Sequence, residues 1–175
     1  MLSSSIIIRP VQPEEAESLL VFAEKVFRHS FEHLNEPEHF EAYMSEAYNL
    51  PQFQAELANA ESAFFFALLG DEIAGYIKLN WGASQTELQE QPGIELQRIY
   101  INPELQGKKI GQALLSHAME FGKNRRFPFL WLGVWEKNEA ARRFYERNGF
   151  VQFSSHTFRL GNDPQTDLLM KLSLS

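Results

Sequence analysis

Four groups of residues in this sequence have types and spacings that suit chemistry. In the run RIYINPELQGKKIGQALL, a strand-like stretch passes through a glycine-containing turn into helical periodicity. A helix that starts this way leaves several backbone N–H groups without an internal partner, and between Gln106 and Gln112 they would all aim at one spot. Such a spot attracts an anion, and Lys108 and Lys109 add charge beside it. The run matches neither GxxxxGK(S/T) nor GxGxxG, so the P-loop and dinucleotide readings lose. Read as a bare turn, Gly107 and Gly111 would serve backbone geometry only.

Further on, Asn138 and Tyr145 stand seven residues apart, close to two helical turns, so both project along one side of a helix. A phenol, with a pKa of about 10, is a competent proton donor once water is excluded. The same spacing also fits a packing stripe of Ala141, Phe144 and Tyr145. Glu95, in the strand-like IELQRIYI, is a candidate proton acceptor, with a surface carboxylate at the edge of a cleft as the competing reading. Strict alternation sets Glu95 and Gln97 opposite Leu96 and Arg98, and a bulge would change that phase. Last, His29-Ser30-Phe31-Glu32-His33 matches the HxxEH pattern of zinc peptidases, with two histidines at i and i+4 on one helical face. A third protein ligand would have to come from elsewhere, and a helix end lining a cleft is the plainer account. His39, His117 and His156 read as surface or packing residues.

Positioning these residues requires a succession of strands and helices. Ile6 to Ile8 read as a strand that Pro10 ends by withdrawing a backbone donor. Apolar positions recur at helical spacing in Leu19, Leu20, Ala23, Val26 and Phe27, and after Pro37 in Phe40, Tyr43, Met44, Ala47 and Tyr48. Pro51 starts a short helical stretch to about Asn59. SAFFFALL and IAGYIKLNW, parted at Gly70-Asp71, predict an antiparallel hairpin, and the Gln-rich run from Gly82 to Gly93 predicts a loop. Ile94 to Ile101 predicts a strand closed by Asn102-Pro103, followed by a helix carrying Ile110, Ala113, Leu114, Ala118 and Phe121. FLWLGVW after Pro128 predicts a buried strand with Trp131 and Trp135 in the core; Trp81 reads as core or interface. A helix then runs from a capping Asn138 to a left-handed Gly149, and strands near Val151 to Leu160 and Thr166 to Leu172 finish the chain. The order βααα-ββ-βα-βα-ββ, without repeat or linker, predicts one mixed sheet flanked by helices.

At 175 residues and 44% hydrophobic content, one globular domain suffices and needs no staple. The absence of cysteine removes a disulfide framework, a cysteine nucleophile and thiolate metal sites together. The start, MLSSSIIIRPVQPEE, has three consecutive isoleucines and no basic region ahead of them, so it reads as neither signal peptide nor membrane span, and a cytoplasmic protein is expected. A net charge of -7 argues against general affinity for nucleic acid. That charge is unevenly spread: His29 to Ile77 holds nine acids and no Lys or Arg, whereas Arg98 to Arg126 holds six bases against Glu104 and Glu120. One part favours a cation and the other an anion.

The run IYINPELQGKKIGQALL, followed by WEKNEAARRFYERNGF, resembles the central signature of the GNAT N-acetyltransferase superfamily, and the order of elements is similar along nearly the whole chain. The pieces FFFALL, EIAGYIKLN, ELQRIYI, LWLGVWEKNEAARRFYERNGFVQ and QTDLLM resemble the bacterial PaiA-type spermidine/spermine N-acetyltransferases. The resemblance implies a single acetyltransferase domain over residues 1–175, with an α/β (α+β) mixed sheet of about seven strands, a splayed centre and about four helices. It implies acetyl transfer from acetyl-CoA to a primary amine, with spermidine or spermine as the acceptor and no metal. In the family pattern Q/R-x-x-G-x-G/A the loop holds the CoA pyrophosphate. Here the corresponding residues are Gln106, Gly107, Lys108 and Lys109, then Ile110, Gly111 and Gln112. Lys109 stands where the pattern has its first glycine, and a Cβ there obstructs close backbone approach, for which Gly107 compensates in part.

By the same resemblance, the backbone of Ile99, Tyr100 and Ile101 would pair with the pantetheine amides, Asn138 would contact the pantetheine arm, and Tyr145 would protonate the leaving thiolate. Glu95 lies six residues before Ile101, the offset at which several GNAT enzymes carry a general base. The first helices would line the acceptor side, turning His29, Glu32 and Glu36 toward a polycation. No nucleic-acid or membrane partner is expected, and a homodimer is left open. The rival from another class is a non-catalytic acyl-CoA sensor, which would bind CoA without turnover; the zinc peptidase is the remote one.

Overall fold

The computed structural model describes residues 5–88, 90–160 and 163–175. Met1 to Ser4 of the N-terminal stretch and Gln89 of the Gln-rich loop lie outside the described residues. Seven strands form one sheet: β1 (Ile6–Pro10), β2 (Ser62–Leu69), β3 (Glu72–Trp81), β4 (Ile94–Ile101), β5 (Phe129–Trp135), β6 (Val151–Leu160) and β7 (Asp163–Ser173). Their order across the sheet is β1-β2-β3-β4-β5-β7-β6. All neighbours are antiparallel except β4 and β5, which run parallel and pair only at Ile94 with Leu130 and Glu95 with Trp131. Beyond those two pairs the strands part, so the sheet splays at its centre as expected.

Among the described residues five α-helices flank the sheet, as the order βααα-ββ-βα-βα-ββ predicts: α1 (Ala16–Phe31), α2 (Pro37–Ala47), α3 (Leu50–Ala58), α4 (Ile110–Asn124) and α5 (Glu139–Arg147). The short Pro51 stretch is α3, started by Asn49, whose side chain accepts from the Gln52 amide at 2.9 Å. Helices α1 to α3 cover one face with a core built on Leu19, Phe40, Phe53, Phe66 and Tyr76. Helices α4 and α5 cover the other, over Ile77, Leu79, Ile94, Leu114 and Leu132. Among the described residues no helix is long and apolar enough to cross a membrane.

Two prolines displace the expected strand ends. Pro10 belongs to β1 and pairs with Phe65, and Pro164 belongs to β7 and pairs with Arg159, so β7 starts three residues before Thr166. Both losses of a donor are tolerated because β1 is an edge strand and β5 runs beside β7 only from Asp167 onward.

Candidate active site at the splayed centre

The opening between β4 and β5 is closed at one end by the start of α4. Gly107 and Lys109 both take positive φ, 82° and 62°, and Lys109 is the residue that caps the helix, with no side chain bonded to the first-turn amides. The first glycine of the pattern therefore supplies a left-handed conformation, which Lys109 adopts at a cost of roughly 1 kcal/mol. Gly111 allows close packing, since a Cβ on it would meet Ile101 Cδ1 at 3.3 Å. The first turn of α4 contains no acid, and Lys108 and Lys109 are exposed beside it. Uncapped amides, adjacent cations and no carboxylate are the donor set that a diphosphate needs.

On β4, Lys78 pairs with Arg98 but Leu79 pairs with Leu96, so Gln97 is an extra residue. This bulge overturns the strict alternation: Glu95, Arg98 and Tyr100 share one face with Asn80, Lys78 and Tyr76. Glu95 is 3% exposed and accepts hydrogen bonds from Asn80 Nδ2 (3.0 Å), the Thr86 amide (2.9 Å) and the Thr86 hydroxyl. A carboxylate offers about four acceptor positions, so about one stays open toward the cavity it lines. Thr86 is held there by its neighbour Gln85, which accepts from Trp131 Nε1 at 2.7 Å and donates to the loop carbonyls.

That cavity, about 510 Å³, lies on the α1–α2 side of the sheet. Its lining combines the aromatic rings of Phe27, Phe31, Tyr43, Tyr48 and Tyr100 with the carboxylates of Glu87, Glu95 and Asp167 and the bases Arg98 and His156. His156 faces two of these carboxylates, with Nδ1 2.9 Å from Glu87, out of line for a hydrogen bond, and Nε2 3.9 Å from Asp167. Burial, with Glu87 adding to it, pushes the Asp167 carboxyl up, against the opposing effect of His156. Gly133 opens the floor between Trp131 and Trp135.

Tyr145 comes from the opposite face. It is buried among the residues that α4 and α5 cover, its ring 5.6 Å from Phe150, and burial pushes its phenol well above the ordinary value. Glu95 and Tyr145 thus stand on opposite sides of the sheet, Glu95 lining the cavity and Tyr145 in the core of the other face. Tyr100 borders the cavity, whereas Ile99 and Ile101 pack against the α4 side. Asn138 is exposed and caps α5 by accepting from the Ala141 amide at 3.2 Å.

The acidic helices are less bare than the sequence suggests. Arg28 pairs with Glu24, Glu32 and Glu41, and Glu56 with Lys78 and Arg98. His29 and Glu32 border a separate, open hollow, joined to the cavity through Asn35, which lines both; Glu36 is mostly exposed at the start of α2. The zinc motif comes apart because α1 ends at Phe31, leaving His33 in a 3₁₀ turn while Glu32 is tied to Arg28 at 3.0 Å. Among the described residues no group of three or more potential metal ligands is present. Sequence reasoning missed Thr86, Glu87, Arg98, His156 and Asp167. The only signal for the last two was a polar residue on each of two adjacent strands, in register with one another.

Residues 28–150 match the acetyltransferase (GNAT) family. The chain is 35% identical to an uncharacterized N-acetyltransferase of Lactobacillus delbrueckii subsp. lactis, over 94% of this chain and 95% of that protein. It is 28% identical to the spermidine N(1)-acetyltransferase of Thermoplasma acidophilum, over 83% of this chain and 88% of that one. The fold superposes on the crystal structure of a PaiA N-acetyltransferase from Thermoplasma acidophilum in complex with coenzyme A. The TM-score is 0.77 at 25% identity, covering 97% of this chain and 99% of that one. A splayed sheet, an uncapped helix start at its opening and a family match across most of the chain lead to one conclusion: the chain belongs to the GNAT acetyltransferase family, as an N-acetyltransferase with acetyl-CoA as its acetyl donor.

Proposed function

We propose that this protein is a single-domain cytoplasmic enzyme that acetylates a primary amine of a polyamine such as spermidine or spermine, by direct transfer. The observation that carries the reading is the cavity whose lining combines aromatic rings with the carboxylates of Glu87, Glu95 and Asp167, against the bases Arg98 and His156. Methylene segments pack on rings while ammonium groups seek carboxylates and ring faces. The spermidine N(1)-acetyltransferase activity of the Thermoplasma relative supports the same class of acceptor. His29, Glu32 and Glu36 form the outer approach; the exposed carboxylate of Glu36 would draw a cation there, while Glu32 is paired with Arg28.

Only about 0.04% of an aliphatic amine is neutral at pH 7, so a proton must leave before attack. Glu95 receives it, directly or through water, at its remaining acceptor position. The freed amine attacks the thioester carbonyl, and an amide of the Ile99–Ile101 stretch stabilises the oxyanion. Tyr145, kept protonated by burial, gives its proton to the departing thiolate, and the proton that the adduct nitrogen sheds on collapse returns to the phenol through water. Backbone amides from Gln106 to Gln112, with Lys108 and Lys109, hold the diphosphate, and Asn138 contacts the pantetheine arm.

A thiol-release screen with acetyl-CoA against polyamines, amino sugars, amino acids and peptides tests the reading. Fastest turnover with polyamines is expected. CoA binding without thiol release from any amine would establish the sensor instead.

A further inference from the structure

A single carboxylate from the acceptor-side helices reaches the bulge in β4. Glu56, on α3, accepts both terminal N–H groups of Arg98 at 3.1 Å each and lies 3.2 Å from Lys78 Nζ. Lys78 and Arg98 are register partners immediately beside the extra residue Gln97. The three side chains are almost out of water, at 13% exposure for Glu56, 11% for Arg98 and 8% for Lys78. Arg98 also sits 5.8 Å from the Tyr48 ring and 5.3 Å from the Phe53 ring, and with Tyr48 it forms part of the cavity wall.

An arginine in the wall of a cavity for cationic amines is a contradiction unless its charge is cancelled at short range. Counted formally, Lys78 and Arg98 bring two positive charges, and Glu56 and Glu95 bring two negative ones, so the group balances. Burial, with Arg98 adding to it, holds the Lys78 ammonium down at about 8, while Glu56 and Glu95 act in the opposite direction. The balance therefore depends on Glu56.

We infer that Glu56 is a positioning residue for the acceptor. It neutralises Arg98 and Lys78 behind the cavity wall so that a cationic amine can enter. It also ties them across the bulge that turns Glu95 to the cavity face. This rests on the amine-acetylating reading above.

The test is one of charge sign. Glu56→Gln leaves one uncompensated positive charge as long as Lys78 keeps its proton, so at pH 6 the KM for the cationic amine is expected to rise on the order of tenfold, and less at pH 8, while the KM for acetyl-CoA is unchanged. Lys78→Met leaves an excess negative charge, and the amine KM is expected to fall. The double variant Glu56→Gln/Lys78→Met restores formal balance, and its amine KM should return toward wild type although two members of the network are gone. A purely structural role predicts the opposite: each change harms, the double variant is worst, and both KM values move together. If the single Glu56 variant is insoluble, Lys78→Met decides alone, and an unchanged or raised amine KM overturns the inference. Wild-type protein without turnover on any amine would bring down both readings; turnover without this charge dependence brings down only this one.

Discussion

At the residue scale, the two proposed proton carriers differ in how they are held. Glu95 is fixed by Asn80 and by both donors of Thr86, so its geometry depends on a loop as much as on its strand. Tyr145 depends only on packing. Replacing Tyr145 by Phe keeps that packing and should lower kcat on the order of 10²-fold, while calorimetry registers unchanged acetyl-CoA affinity. Equal turnover would remove Tyr145 from its assigned role. Glu95→Gln should likewise lower kcat on the order of 10²-fold at neutral pH, read by thiol release. The sequence offers Tyr145 as a candidate because its neighbours form a contiguous motif. It does not offer Thr86, which meets Glu95 only when the loop before β4 folds back, or His156, which meets Glu87 across the fold.

At the scale of elements, the site exists because β4 and β5 pair at two positions and then part. One glycine guards the geometry of β4 from the other side. A Cβ at Gly75 would stand 2.8 Å from the Tyr100 carbonyl oxygen and 3.0 Å from Leu114, so Gly75→Ala must shift β4 or α4. A loss of about 1–3 kcal/mol is expected, with weaker acetyl-CoA binding, checked by thermal melting and calorimetry. Unaltered affinity would mean that β4 does not shape the donor side. Hydrophobic patterning made nearly every element readable, since the helices bury one face and the central strands, covered on both, read as continuous apolar runs. The bulge at Gln97 was foreseen only as an option, because alternation has no marker for the position of an extra residue and Glu56, which grips it, lies 42 residues from Arg98.

For the whole molecule, charge segregation read from the sequence needs one amendment. Of the nine acids between His29 and Ile77, Glu32, Glu41 and Glu56 are paired with bases that lie outside that stretch. A linear count cannot see such pairs. The remaining field should still draw in a cationic amine, so kcat/KM for polyamines should fall as salt rises and neutral acceptors should show no such slope. Acid stability has a defined window. Arg9, 2.7 Å away, holds the Glu15 carboxyl at about 2, against an ordinary 4.5. Its contribution is complete above the higher value and disappears as pH falls toward the lower one. With Arg9 39% exposed, solvent screening limits it to about 1 kcal/mol. Urea midpoints of wild type and Glu15→Gln should therefore differ at pH 5 and converge near pH 2; a constant gap would contradict the assignment.

The placement of Glu95 and Tyr145 on opposite sides of the sheet also has a kinetic meaning. On the proposed assignment each reactant has its own doorway, so neither has to depart before the other arrives, and initial-rate plots should intersect instead of running parallel. An inhibitor joining the two reactants would have to pass where β4 and β5 no longer pair, which favours slender linkers over bulky ones.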